Sequence, residues 1–308
     1  MHSEFDETNR RALESISYRM LGSWADAEDI AQEALLRWHR LNSHEQSSIQ
    51  EPLAWLNTVA TRLSLDLLKS ARRQREKYVG PWLPAPILSE QIDSATAVEQ
   101  DDSIHFGILL ALERLNPAER AAFLLHDIFG YSFEHIASTL EKSIPACRKL
   151  ASRARTAIQT ERTRFETSPT THQRLLEAFL HAIRRGDDTT LTSLLAEDVA
   201  LYSDGGGMVP AVRRVLRTPK IVSRVILGLE RRQRKLGLQK EPRFRSLNGH
   251  PGALLYLNGE LDTTVSIAIV EGRIQSIFQQ RNPEKLFPLI AQLEPTPKSQ
   301  RSILDIQI

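Results

Sequence analysis

Three segments of this chain gather basic side chains at spacings that suit a run of phosphates. Arg62, Lys69, Arg72, Arg73, Arg75 and Lys77 are opposed only by Asp66 and Glu76. Lys142, Arg148, Lys149, Arg153, Arg155, Arg162 and Arg164 are opposed by Glu161 alone, and a third run extends from Arg213 to Lys240. A single basic run is usually a solvated helix face. Two runs in separate helices, each beside a recognisable fold signal, point instead to nucleic acid.

Other residue types offer other chemistry. Asp26, Glu28, Asp29, Gln32 and Glu33 form a polar, mostly acidic strip. Acids in a first helical turn are favoured by the helix dipole, which accounts for Asp26 and Glu28 but not for Glu33. Asp204, Asp262, His181, His250 and Tyr202 are the acid–base groups of the C-terminal half. No His–Asp pair among them converges by spacing. Asp262 is expected on the face opposite Leu261, Val265, Ile267 and Ile269, and His181 points away from the stripe Leu176, Phe179, Ile183. Gly205, Gly206 and Gly207 after Asp204 mark backbone that needs positive φ or a close approach to a neighbour. Cys147 is the only cysteine, which excludes an intrachain disulfide and a multi-cysteine zinc site. No metal, cofactor or catalytic residue is expected.

The 308 residues amount to about two domains' worth of chain. Hydrophobic residues make up 41% and charged residues 25%, ordinary globular usage that rules out wholesale disorder. No apolar run approaches the roughly 18 residues of a membrane helix, and the acidic N-terminus does not resemble a secretory signal. The expectation is a cytoplasmic chain with no membrane partner.

Helical periodicity divides the first half into two units. Residues 4–78 read as three helices, carrying Leu13, Ile16, Met20, then Ile30, Ala34, Trp38, then Leu56, Ala60, Leu63. Ser23 caps the second, and Pro52 opens the third after a polar loop at Asn42–Glu51. Trp55 falls on the core side of that third helix. A linker at 79–102 holds Pro81, Pro84 and Pro86. Residues 103–165 are again helical, with Asn116-Pro117-Ala118-Glu119 as a capping box. Ser132 caps Phe133–Glu141, Lys142-Ser143 turns, and Ser143 caps a helix with Cys147, Leu150, Ala151 and Ala154 inward. Arg148, Lys149, Ser152, Arg153 and Arg155 then face out, a helix-turn-helix pattern. Residues 171–288 change texture: two helices, then strands at 243–247, 253–257, 261–270 and 273–280. Turns at Asn248-Gly249, Asn258-Gly259 and Glu271-Gly272 separate the strands. An antiparallel meander in an α+β domain is expected, followed by a loosely held tail at 289–308.

The string from Tyr18 through Asp26, Asp29, Gln32 and Glu33 to Trp38 resembles region 2 of extracytoplasmic-function sigma factors. The stretch from Leu115-Asn-Pro-Ala-Glu-Arg to Arg155 resembles region 4. Three further strings resemble the SigJ-like group, which carries a SnoaL-like (NTF2-like) C-terminal extension. These are Trp82-Leu83-Pro84-Ala85-Pro86, Asp204-Gly205-Gly206-Gly207 and Asn282-Pro283-Glu284-Lys285-Leu286. Ala85 stands where the group usually has Glu, and Met208 where a basic residue is common.

The resemblance implies a fold of two all-α sigma domains followed by an α+β SnoaL-like domain. It also implies a function: promoter-specific initiation with RNA polymerase core and promoter DNA as partners. It assigns core binding to Asp26, Glu28, Asp29, Gln32 and Glu33. It assigns DNA contacts to Arg62, Lys69, Arg72, Arg73, Arg75, Ser143, Arg148, Lys149, Ser152, Arg153 and Arg155, with base capture in the Asn42–Glu51 loop. Linker docking falls to Trp82, Leu83, Pro84 and Pro86, and regulation to Asp204–Gly207 and Asn282–Leu286. The SnoaL-like domain leaves room for an unidentified small ligand. A second reading, an NTF2-like enzyme or ligand sensor tethered to DNA, needs neither the acidic strip nor the Asn42–Glu51 loop.

Overall fold

The computed structural model describes residues 2–75, 78–89, 106–162 and 168–293, with side chains at 2–4, 70–75 and 159–162 outside that description. Helices α1 (His2–Leu21), α2 (Trp24–Arg40) and α4 (Pro52–Arg75) are the three expected in the first unit. Gly22 joins the first two at a φ of +66°, and the Ser23 hydroxyl accepts from the Asp26 N–H. The polar loop holds a further short helix, α3 (Ser43–Ser48). Its periodicity is silent because it buries nothing. A reciprocal cap starts it: Asn42 Oδ1 accepts from the His44 and Glu45 N–H groups, and Glu45 Oε2 accepts from the Asn42 N–H.

Helices α5 (Phe106–Glu113), α6 (Pro117–Phe123), α7 (Phe133–Leu140) and α8 (Ile144–Arg162) form the second unit, with a π-turn at Leu124–Ile128 after α6. Asn116 closes the expected capping box with Glu119. Between α7 and α8 the chain reverses at Glu141, whose left-handed φ of 54° lets the Lys142 N–H reach the Ala137 carbonyl. Leu13, Leu56, Leu112, Leu124, Cys147 and Ala151 belong to one continuous core, so the two helical units pack as a single body. Buried Arg120 of α6 spans their junction, donating to the Leu112 and Met20 carbonyls and to Glu113.

The third unit contains α9 (Pro169–Arg185), α10 (Asp188–Leu194), β1 (Leu195–Asp204), β2 (Leu216–Arg217), α11 (Pro219–Lys235), β3 (Lys240–Leu247), β4 (His250–Leu257), β5 (Glu260–Val270), β6 (Arg273–Gln280) and α12 (Pro283–Leu293). The sheet order is β2-β1-β6-β5-β4-β3. The meander β3 to β6 is antiparallel as expected, but β1 adds to β6 in parallel, so the sheet is mixed. All three hairpin turns have both central residues at positive φ, as two-residue hairpins prefer. Helix α12 runs through the boundary expected at 288 and buries Leu286 and Leu289.

One face of the sheet carries α9 and α11 over Val265, Ile267, Ile269 and Ile277. The opposite face receives α5, α12 and the linker. There Phe106 stacks on Phe278 with centroids 5.7 Å apart, and Leu88 joins Leu247, Leu254 and Leu289. The expected facing along β5 needs correction. Leu255 pairs with Thr263 and Tyr256 with Leu261, which leaves Asp262 as an extra residue. Such a bulge reverses the side-chain alternation. Leu261 therefore packs on the α12 side, away from Val265.

Candidate functional site

Residues 78–89 of the linker run extended between the helical body and the sheet, fixed at two points. The first centres on Asp204, the last residue of β1, which is completely buried. Its Oδ1 accepts from the Tyr78 hydroxyl at 2.6 Å and the Gly206 N–H at 3.0 Å. Its Oδ2 accepts from the Leu83 N–H at 2.9 Å, Lys285 Nζ at 2.7 Å and Gln280 Nε2 at 3.3 Å. Five donors, one of them the Lys285 cation, satisfy the carboxylate, which is what an ionised group away from water requires. Lys285 also donates to the Leu83 carbonyl and lies 4.2 Å from the Trp82 ring centroid and 4.9 Å from that of Tyr78. Burial, and then the bond to Asp204, push the Tyr78 hydroxyl well above the ordinary tyrosine range.

The Asn282 side chain, buried beside this acid, donates to the Tyr78 hydroxyl and accepts from the Glu284 N–H, so it also caps α12. Gly206 and Gly207 stand at φ of +64° and +74°. A Cβ on Gly206 would lie 2.5 Å from Asn282 Nδ2, and one on Gly207 would lie 3.2 Å from Val79. The three strings at Trp82, Asp204 and Asn282 thus meet in one place.

The second fixed point lies toward the end of the linker. Buried Tyr18 of α1 donates to the Ala85 carbonyl at 2.6 Å, and Asn248 Nδ2 donates back to the Tyr18 hydroxyl at 2.7 Å. Asn248 Oδ1 accepts from the Ile87 N–H, and the Asn248 N–H donates to the Ile87 carbonyl. The Ala85 N–H donates to the Gly22 carbonyl. Burial pushes the Tyr18 hydroxyl far above its ordinary value. Sequence reasoning did not single out Tyr18, Tyr78, Asn248 or Gln280. Asn248 was legible only as a turn residue, and Tyr18 only as part of a family string.

The surfaces assigned by resemblance are distributed as follows. Glu28, Asp29 and Gln32 are exposed on α2, Asp26 is half-buried, and Glu33 pairs with Arg37 at 2.8 Å. Lys69 is exposed beside Asp66. Arg72, Arg73 and Arg75 lie on the last turns of α4, and their side chains, like Lys77, lie outside the described residues. Arg62 is exposed and reaches across to α7, donating to the Thr139 and Ser138 carbonyls at its end. Ser143 caps α8, and Lys149 and Ser152 are exposed. Arg148 lies over the Phe133 ring, Arg153 is 4.0 Å from Glu119, and Arg155 pairs with Asp127 at 2.5 Å. Trp55 packs edge-on against Trp38, consistent with a core role.

The acid–base candidates of the C-terminal half do not converge. Asp204 is held in the linker junction, and Tyr202 stacks on Phe278 on the linker face of the sheet. His181 is exposed, and His250 lies by His172 with ring centroids 5.4 Å apart. Asp262 is bound by Lys240 and Arg281. Among the described residues, no cluster of metal-ligating side chains is present and no helix is long and apolar enough to cross a membrane.

The family model for Sigma-70 region 2 matches residues 5–74, and that for Sigma-70, region 4, matches residues 105–158. Over 293 residues the chain is 37% identical to the ECF RNA polymerase sigma factor SigJ of Mycobacterium tuberculosis, covering 92% of each chain. It is 33% identical to the probable ECF RNA polymerase sigma factor SigI of the same organism, over 92% of this chain and 94% of that one. The crystal structure of the M. tuberculosis SigJ protein superposes with a TM-score of 0.74 at 34% identity, over 93% of this chain and 98% of that chain.

Proposed function

Because the chain belongs to the extracytoplasmic-function family of RNA polymerase sigma factors, which direct promoter-specific initiation of transcription, we propose that its α+β domain controls that activity by strapping the two sigma units together. The family's partners are RNA polymerase core and promoter DNA. In this reading the exposed acids of α2 meet the core. Lys69, Arg72, Arg73 and Arg75 on α4, and Arg148, Lys149, Ser152 and Arg153 on α8, meet DNA.

The observation that carries the reading is the Asp204 junction. It fixes the linker that joins the two sigma units, while Arg62 of α4 caps the end of α7. A helix-turn-helix held on α4 in this way cannot reach an upstream element while α4 engages its own, because the two elements lie apart on the duplex. Releasing the linker removes one restraint on their separation and leaves the shared core and Arg120 as the others. Asn282 and Lys285 both follow β6, so truncation before Asn282 removes two of the groups that hold Tyr78 and Asp204.

The test is run-off transcription with purified core polymerase, comparing the full chain with one ending at Arg281. Thermal melting of the helical body serves as the folding control. The truncated chain is expected to transcribe more from the same promoter. Equal transcription with an unchanged melt refutes control by the α+β domain, and absence of any specific transcript from either chain refutes the activity itself.

A further inference from the structure

Beneath α9 and α11, on the sheet face away from the linker, lies a cavity of about 470 Å³. That is within the range of about 300–1,000 Å³ usual for small-molecule sites. Phe179, Ile183, Leu201, Val225, Leu229 and Val265 give it an apolar lining. Its polar wall is made by Lys240 and Arg281, which share the single carboxylate of Asp262 at 2.6 Å and 3.0 Å. This arrangement exists because the bulge in β5 turns Asp262 out of the alternation. Burial works to raise the Asp262 carboxyl, but hydrogen bonds from Lys240 and Thr263 and the two cations hold it down to about 2. It is ionised at neutral pH, so this trio carries one excess positive charge. At the rim Glu230 is paired with Arg234 and Arg232 is exposed, which leaves the balance positive.

Arg281 has a donor to spare. Two of its nitrogens reach Asp262 and the Pro210 carbonyl, whereas Nε is buried and has no hydrogen-bond partner. A buried donor without an acceptor is costly and leaves Arg281 weakly anchored, and its charge, with that of Lys240, favours an anion in the cavity. An apolar chamber beside an excess positive charge selects one ligand class.

We infer that this cavity binds an amphipathic monoanion, an apolar body bearing one carboxylate, and that binding loosens the Asp204 junction through Arg281. The second half of this inference rests on the control proposed above; the first does not. The connection is short. The Arg281 N–H donates to the Asp204 carbonyl at 2.7 Å, and its side chain holds Pro210 in the loop that carries Gly206 and Gly207. Those glycines pack on Asn282 and Val79. An anion that draws the guanidinium off the Pro210 carbonyl releases that loop from the junction.

Calorimetric titration of the full chain with decanoate, and with decanamide as its uncharged counterpart, tests the site. Decanoate is expected to bind at one site per chain and about tenfold more tightly than decanamide. Arg281→Gln is expected to abolish that preference while leaving decanamide binding unchanged. Leu229→Trp, which fills the chamber from a partly exposed position, is expected to weaken both ligands without altering the far-UV spectrum. Equal affinity for the two ligands, no binding of either, or binding that Leu229→Trp leaves intact overturns the site. In run-off transcription decanoate is expected to raise output from the full chain but not from the chain ending at Arg281. If decanoate binds as described and transcription does not respond, the coupling is overturned and the site stands. If truncation itself has no effect, the failure lies with control by the domain.

Discussion

Lys285 Nζ lies 2.7 Å from Asp204 Oδ2, an ion pair whose acid is wholly buried and whose partners are 81 residues apart in the chain. Both partners also bind the linker at Leu83, Lys285 at its carbonyl and Asp204 at its N–H. The pair therefore joins two segments of one domain directly and ties the linker to both.

Removing one partner of such a pair leaves the other charge buried. Lys285→Ala is expected to destabilise the α+β domain by about 3–5 kcal/mol. Asp204→Asn combined with Lys285→Met is expected to cost less than the sum of the single changes. Thermal melting of the four proteins measures the coupling, and strict additivity contradicts it.

Gly22 and Gly186 provide a matched pair of glycines. Both stand in the left-handed region, at φ of +66° and +73°. A Cβ on Gly22 would lie 2.6 Å from the Trp82 ring, whereas one on Gly186 meets nothing within 4 Å. Alanine at either position is expected to cost about 1 kcal/mol for the backbone. Only Gly22→Ala should also displace the indole and raise run-off transcription. If both variants transcribe like the parent, Trp82 docking does not govern activity.

Burial and then the charge of Glu28 raise the Glu14 carboxyl to about 7, with Glu7 adding to the shift and Arg10 and Arg11 opposing it. Protonated Glu14 is thus favoured by the fold. Its contribution is fully present below about pH 4.5 and is lost as pH rises through 7. Glu14→Gln is expected to melt like the parent at pH 4.5 and to be more stable at pH 8, by no more than about 3 kcal/mol. An identical pH profile for both proteins shows that Glu14 does not titrate in this window.

Asp29 is exposed on α2, so reversing its charge disturbs no packing. Asp29→Lys is expected to weaken binding to core polymerase by about tenfold with an unchanged helical spectrum. Unaltered affinity removes this face from the core contact.

Most helices and the meander were legible because their signals are local: apolar periodicity, caps at Ser23, Asn116 and Ser132, and Asn-Gly turns. Helix α3 and the polar α10 bury too little to show a stripe. β1 was missed because its burial runs buried, exposed and buried again in blocks, with Glu197 and Asp198 interrupting the apolar residues. The linker, Asp204 and Asn282 strings were visible as resemblances, but their convergence depends on contacts between residues 81 to 204 positions apart. Tyr18 and Asn248 carry no local sign of their pairing. Arg62 illustrates the same limit, since its charge gives no sign of the long-range bonds to the Thr139 and Ser138 carbonyls.

The two fixed points of the linker, at Leu83 by Asp204 and at Ile87 by Asn248, are separated by only a few residues. Freeing one alone yields little chain entropy, because the short segment remains tied at the other. Most of the disorder gained on release comes only when both ties have gone. Under the control proposed above, loosening the Asp204 tie leaves the linker held at Asn248 alone, so that release then waits on a single tie.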